Sequence, residues 1–146
     1  MHKLFLYYSF SGNGDVVSEA LKENGFEIRK VESKLKLRKN LFLQIMKGGF
    51  LAGINSKPKL INYDNNVDGY EEIYIGAPIW NDRLACPVNT ILRDTNLKDK
   101  KLTFVLYSGS GKSKHAVKKI NKLYPDAKII HLQQPKDKKE ELNKIS

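Results

Sequence analysis

The chain has 146 residues, 40% of them hydrophobic and 10% aromatic, enough to close one continuous core as a single domain spanning 1–146. Its 26 basic residues against 16 acidic ones give a net charge of +10, a field that draws anionic partners, although the lysines are spread along the whole chain. The lone cysteine, Cys86, excludes an intrachain disulfide, and no apolar run approaches the roughly 20 residues that span a bilayer. With no signal-peptide cleavage pattern after Met1, the expectation is a cytoplasmic protein without stable membrane insertion.

The first element is the apolar run Leu4 to Tyr8, continuous enough to suit a strand buried on both faces. Val16, Val17, Ala20 and Leu21 follow at helical spacing, with Asn13 expected as N-cap and Gly25 as the stop. Phe26, Ile28 and Val31 form a second strand. From Lys34 to Leu60 the pattern weakens; Leu41, Phe42, Ile45, Met46, Phe50 and Leu51 share one face of an interrupted helix, and Ser56 to Gly69 is a polar connector. A third strand runs from Glu72 to Ala77 and is expected to stop at Pro78. Then come a helix over Val88 to Arg93, a strand over Leu102 to Tyr107, and a helix carrying Ala116, Val117, Ile120 and Leu123. A fifth strand over Ala127 to Leu132 and a charged helix over Lys136 to Ile145 complete the chain.

Five strands alternating with helices imply an α/β fold, a doubly wound five-stranded parallel sheet of order 2-1-3-4-5 with helices on both faces. Ligands of such sheets bind beyond the carboxyl ends of the strands. The loops that matter are therefore residues 9–14, 78–83 and 108–112. His2, His115 and His131 have no metal-ligand spacing. Gly109-Ser110-Gly111-Lys112-Ser113 ends like a nucleotide-triphosphate loop, but Leu106 stands where its first glycine belongs.

The first loop, Tyr8-Ser9-Phe10-Ser11-Gly12-Asn13-Gly14, offers hydroxyls, an amide and glycines but no cation. Free N–H groups at a helix start hold phosphate without one. This loop resembles the phosphate loop of the flavodoxin family, S/T-x-T/S-G-N-T. Ile75-Gly76-Ala77-Pro78-Ile79-Trp80 resembles the G-[ST]-P-[IV]-W segment of small flavodoxin-like proteins, and Cys86-Pro87-Val88-Asn89-Thr90-Ile91-Leu92 their P-x-x-x-F-L helix. Lys47 to Leu60 is similar to the stretch before the family's third strand.

The resemblance implies FMN as cofactor. It implies that Ser9, Ser11 and Asn13 reach the phosphate, helped by backbone N–H groups of Phe10, Ser11, Gly12, Asn13 and Gly14. It also implies a flavin bed from Pro78, Ile79, Trp80, Asn81 and Asp82, with Trp80 against the ring. Ser108, Gly109, Ser110, Gly111 and Lys112 then face the pyrimidine end, where the Lys112 cation would favour a reduced, anionic ring. The chain departs from the family at Gly14, where a Thr hydroxyl is usual; its absence removes a hydrogen bond of about 0.5–1.5 kcal/mol. Asp15 also brings an acid toward the phosphate.

The function expected is FMN-based electron transfer. Two alternatives stay open: an FMN-dependent NAD(P)H oxidoreductase acting on a small acceptor such as a quinone, and a flavin-free basic binding module on the same fold. The expected partner is a redox protein, acidic where charge guides docking, with no nucleic acid; the chain is expected to be a monomer or weak homodimer.

Overall fold

The computed structural model describes residues 2–33 and 57–145. The interrupted helix expected around Leu41 to Leu51, and the family-like stretch from Lys47 as far as Ser56, lie outside the described residues. In chain order the elements are β1 (Lys3–Tyr7), α1 (Asn13–Glu23), β2 (Glu27–Lys30), β3 (Glu32–Ser33), β4 (Leu60–Ile61), β5 (Glu72–Trp80), β6 (Arg83–Leu84), α2 (Cys86–Asp94), β7 (Lys101–Ser108), α3 (Lys114–Leu123), β8 (Lys128–Gln133) and a terminal 3₁₀ helix (Lys139–Ile145).

The five long strands are all parallel and lie in the order β2-β1-β5-β7-β8, the doubly wound arrangement that the alternating pattern predicts. Side chains alternate across this sheet with period two. Leu4 and Leu6 of β1, Ile73, Ile75 and Ala77 of β5, and Phe104 and Leu106 of β7 face Val88 and Ile91 of α2 and Ala116 and Ile120 of α3. Phe5 and Tyr7 of β1 and Val105 and Tyr107 of β7 face Val17 and Leu21 of α1 and Ile145 of the terminal helix. Both faces of the central strands are therefore dry, which is why their sequences read as unbroken apolar runs.

Four local expectations need correction. Pro78 does not stop the third strand, which continues to Trp80. The Gly76 carbonyl accepts from the Tyr8 N–H on the β1 side at 3.2 Å. Pro78, two residues on, faces the same side beyond the end of β1, so no ladder bond is lost through its missing N–H. Its carbonyl accepts from the Ala85 N–H at 3.0 Å, because the chain turns back there as β6. Second, residue 12, not Asn13, is the N-cap of α1; the Asn13 side chain is committed elsewhere. Third, the described part of the polar connector contains β4, which pairs with β3 antiparallel and buries Leu60. Fourth, the charged C-terminal helix is shorter and is a 3₁₀ helix. Leu142 and Ile145, its two apolar contacts with the sheet, are three residues apart, and a three-residue turn places both on one side.

One close approach fixes the middle of the sheet. Gly76 is paired with Tyr7, and a Cβ there would stand 2.5 Å from Phe5 Cζ and 2.8 Å from Tyr7 Cβ. The Phe5 and Tyr7 rings are stacked at 4.8 Å and fully packed, so they have no room to yield. Gly76→Ala should lower stability by about 1–3 kcal/mol, the cost of overpacking a filled core. Urea unfolding should show the midpoint fall with the slope unchanged.

Candidate functional site: three loops at the carboxyl edge of the sheet

Parallel strands deliver their outgoing loops to one edge, and α1 begins there. The chain leaves β1 at Tyr7 and enters α1 at Asn13, with its first-turn N–H groups toward that edge. Ser9 is turned inward: its Oγ accepts the Gly14 N–H at 3.0 Å and closes the loop on itself. The Asn13 amide donates to Ser11 Oγ at 3.2 Å, while its Oδ1 accepts the Lys136 N–H at 3.0 Å. The loop is thus tied to the segment after β8, 123 residues away in sequence.

Gly14 is glycine for a steric reason. A Cβ there would stand 2.6 Å from Tyr107 Oη, and 2.8 Å from both Ser9 Cβ and Tyr7 Cδ2. The Tyr107 hydroxyl is buried and donates to the Tyr8 carbonyl. Burial, then the neighbouring Tyr7, Asp15 and Tyr8, raises its pKa far above the ordinary tyrosine value, so it stays a donor. The family's usual threonine cannot be accommodated beside this ring.

Asp15 does not turn toward the loop. Its Oδ1 accepts from Tyr7 Oη at 2.7 Å and lies 2.9 Å from Lys30 Nζ. Partial burial opposes its ionisation, but the Lys30 and Tyr7 hydrogen bonds outweigh that and hold its pKa below the usual carboxylate value. Burial chiefly, with Asp15 adding to it, pushes the Tyr7 hydroxyl up to about 12.

The second loop is a hairpin. Asn81 and Asp82, both at positive φ (50° and 65°), form the two-residue turn between β5 and β6. Asp82 points at α3: Oδ2 accepts the His115 N–H at 3.2 Å and its carbonyl accepts the Ala116 N–H at 3.0 Å. It serves as an N-terminal cap supplied from a distance, favourable for a carboxylate at a helix start. Trp80 is only 3% exposed, edge-on to Tyr8 at 6.0 Å and to Phe10 at 6.3 Å. Phe10 itself is 42% exposed.

The third loop is braced by a histidine. Ser108 Oγ accepts the Gly111 N–H at 3.0 Å and lies 3.1 Å from His131 Nε2, while Ser113 Oγ lies 3.3 Å from Nδ1. Burial and the Lys144 cation lower the His131 pKa against the opposing pull of Asp82 and Glu141, which favours the neutral ring between the two hydroxyls. Ser110 and Lys112 close a tight turn on each other.

The loops meet at one cavity of about 320 Å³. Ser11, Asn13, Pro78, Ile79, Trp80, Ser108 and Gly109 line it, together with Tyr107, Gln134, Lys136 and Asp137. Of the other residues expected at the site, Ser9, Gly12, Gly14, Asn81, Asp82, Ser110, Gly111, Lys112 and Phe10 shape the three loops without forming this wall. Tyr107, Gln134, Lys136 and Asp137 are not among the residues expected at the site. Tyr107 carries a signal, since the strand expected over Leu102 to Tyr107 ends there at the same edge; the others sit in a polar stretch with no motif. A larger cavity, about 490 Å³, opens near Leu97–Leu102 and Leu123–Ala127, at the amino end of β7 and away from the three loops.

The sequence matches the family model described as flavodoxin over residues 2–144. The chain belongs to the flavodoxin family. Solved structures agree on the fold. A candidate flavoprotein of Bacteroides eggerthii is 19% identical with a TM-score of 0.73, covering 95% of this chain and 94% of that one. One from Bacteroides uniformis is 21% identical with a TM-score of 0.70, covering 88% and 89%. A Lactobacillus acidophilus flavoprotein in complex with FMN is 21% identical with a TM-score of 0.62, covering 95% and 97%. No curated protein matches by sequence.

Two predictions follow from the loop geometry. Gly14→Ala should cost about 1–3 kcal/mol in equilibrium unfolding, and adding Tyr107→Phe should recover part of that loss by removing the nearest clashing atom. Asp15 has a folded-state pKa below its unfolded value, so its contribution is present above the unfolded value near 4 and lost as pH falls through the folded one. Asp15→Asn should therefore flatten the acid limb of the stability curve while leaving its shape above pH 6 unchanged.

Proposed function

We propose that this chain binds FMN at the carboxyl edge of its sheet and works as an electron carrier. The supporting observation is convergence: the hydroxyl-bearing turn that opens α1, the Pro78–Trp80 segment and the Ser108–Gly109 turn share one cavity. The residues fit the cofactor. The Ser11 hydroxyl, the second amide N–H of Asn13 and the first N–H groups of α1 other than that of Gly14, which Ser9 takes, form a donor set for a phosphate monoester. Pro78, Ile79 and Trp80 give an apolar, aromatic wall suited to a flat ring. Ser108 and Gly109, held by His131 and by Gln133 through its amide on the Gly109 carbonyl at 3.2 Å, supply the polar side opposite.

When bound, FMN supplies reversible uptake and release of electrons one or two at a time. The chain's own part is to hold the phosphate, keep the ring edge near the surface and fix the hydrogen bonds around it. The related L. acidophilus flavoprotein in complex with FMN supports the same cofactor here. The net charge of +10 supports an acidic redox partner.

FMN titration should give saturable bound-flavin absorbance bands with quenching of Trp80, the sole tryptophan. Ser11→Ala should weaken binding by about 0.5–1.5 kcal/mol. A colourless protein unaltered by FMN would instead mark a flavin-free module. Stopped-flow mixing with NAD(P)H should show slow reduction for a carrier; fast direct reduction would identify an oxidoreductase. Electron transfer with an acidic partner should slow as salt rises.

A further inference from the structure

The loop between β1 and α1 contains no Lys or Arg, yet the fold brings one to it. Lys136 follows β8, in the turn that leads to the terminal 3₁₀ helix. Its main-chain N–H donates to Asn13 Oδ1 at 3.0 Å, and its Nζ donates to the Ser11 carbonyl at 3.3 Å. The side chain lies along the loop: a Cβ on Gly12 would stand 3.4 Å from its Cδ and 3.6 Å from its Nζ. The same lysine lines the cavity beside Ser11 and Asn13. Asp15, the acid nearest in sequence to the loop, is engaged with Lys30 and Tyr7 on the β2 side. Asp137 is the other charged residue on the cavity wall.

We infer that Lys136 is the specificity-determining cation of the site, selecting a phosphorylated flavin over the unphosphorylated one. The inference rests on the FMN reading and deepens it. An ammonium carries three donors, so Nζ can keep the Ser11 carbonyl and still direct two toward an anion. A phosphate monoester carries about −1.5 to −2 charge near pH 7, whereas the ribityl end of riboflavin carries none. The loop's hydroxyls and amide serve hydroxyl and phosphate ligands alike, and the N–H groups at the helix start favour the anion modestly; the full lysine charge adds a preference that only the phosphate gains. The chain thus places its cation outside the motif, on a segment that the motif itself anchors through Asn13.

The test is a flavin fluorescence titration of the full chain with FMN and with riboflavin, in the wild type, Lys136→Met and Lys136→Arg. The Lys136 N–H bond to Asn13 is main-chain and available to each variant, and the side chain is exposed, so neither substitution opens a cavity in the core. Lys136→Met should weaken FMN binding by about tenfold and leave riboflavin unchanged, shrinking the preference for FMN. Its FMN affinity should also depend less steeply on salt. Lys136→Arg should keep most of the preference. An unaltered FMN-to-riboflavin ratio in Lys136→Met, or an equal loss for both ligands, overturns the inference while leaving FMN binding in place. A wild-type chain that takes up neither flavin overturns the FMN reading and this inference with it.

Discussion

The start of α1 rests on the sheet edge because nothing projects from residue 14. Three groups crowd that point: the Tyr107 hydroxyl, the Ser9 side chain and the Tyr7 ring. Any larger residue would lift the helix, breaking the Ser9 hydroxyl's bond to the Gly14 N–H and moving Ser11 and Asn13 away from the cavity. The same contact explains why the chain lacks the hydroxyl usual at this place in the family. The space belongs to Tyr107, whose own hydroxyl is fixed on the Tyr8 carbonyl. A feature that reads as a lost hydrogen bond in the sequence is, in three dimensions, a tyrosine packed where the threonine would be.

The other two loops are held just as firmly by groups outside themselves. Asp82 binds the first N–H groups of α3, so the hairpin after β5 and the helix after β7 are one unit. His131, from the edge strand, bridges Ser108 and Ser113 across the start and end of the third loop. Hydrogen bonds between neighbouring loops make the edge of the sheet a rigid frame, which suits a site that must hold a ligand without rebuilding itself.

The order of the strands and the edge where the loops collect were legible in the sequence. Unbroken apolar runs such as Leu4 to Tyr8 reflect strands covered on both faces, and the sheet rules then leave one edge for ligands. What escaped was decided by contacts distant in sequence. Pro78 reads as a strand end until β6 is seen returning beside it; Asn81-Asp82 is a hairpin turn without the glycine that usually announces one. Asn13 looks like a helix cap because that is what asparagine does locally, whereas here its amide is shared between Ser11 and Lys136. Lys136 itself sits among many lysines, and only the path of the chain after β8 singles it out.

That path has a consequence for how the protein folds. The backbone group that clasps the asparagine of the turn opening α1 lies 123 residues further along the chain, so closing that corner carries a loop-closure cost that local contacts do not offset. Its closure reports on the assembled sheet, because β8 must be docked beside β7 for residue 136 to reach Asn13.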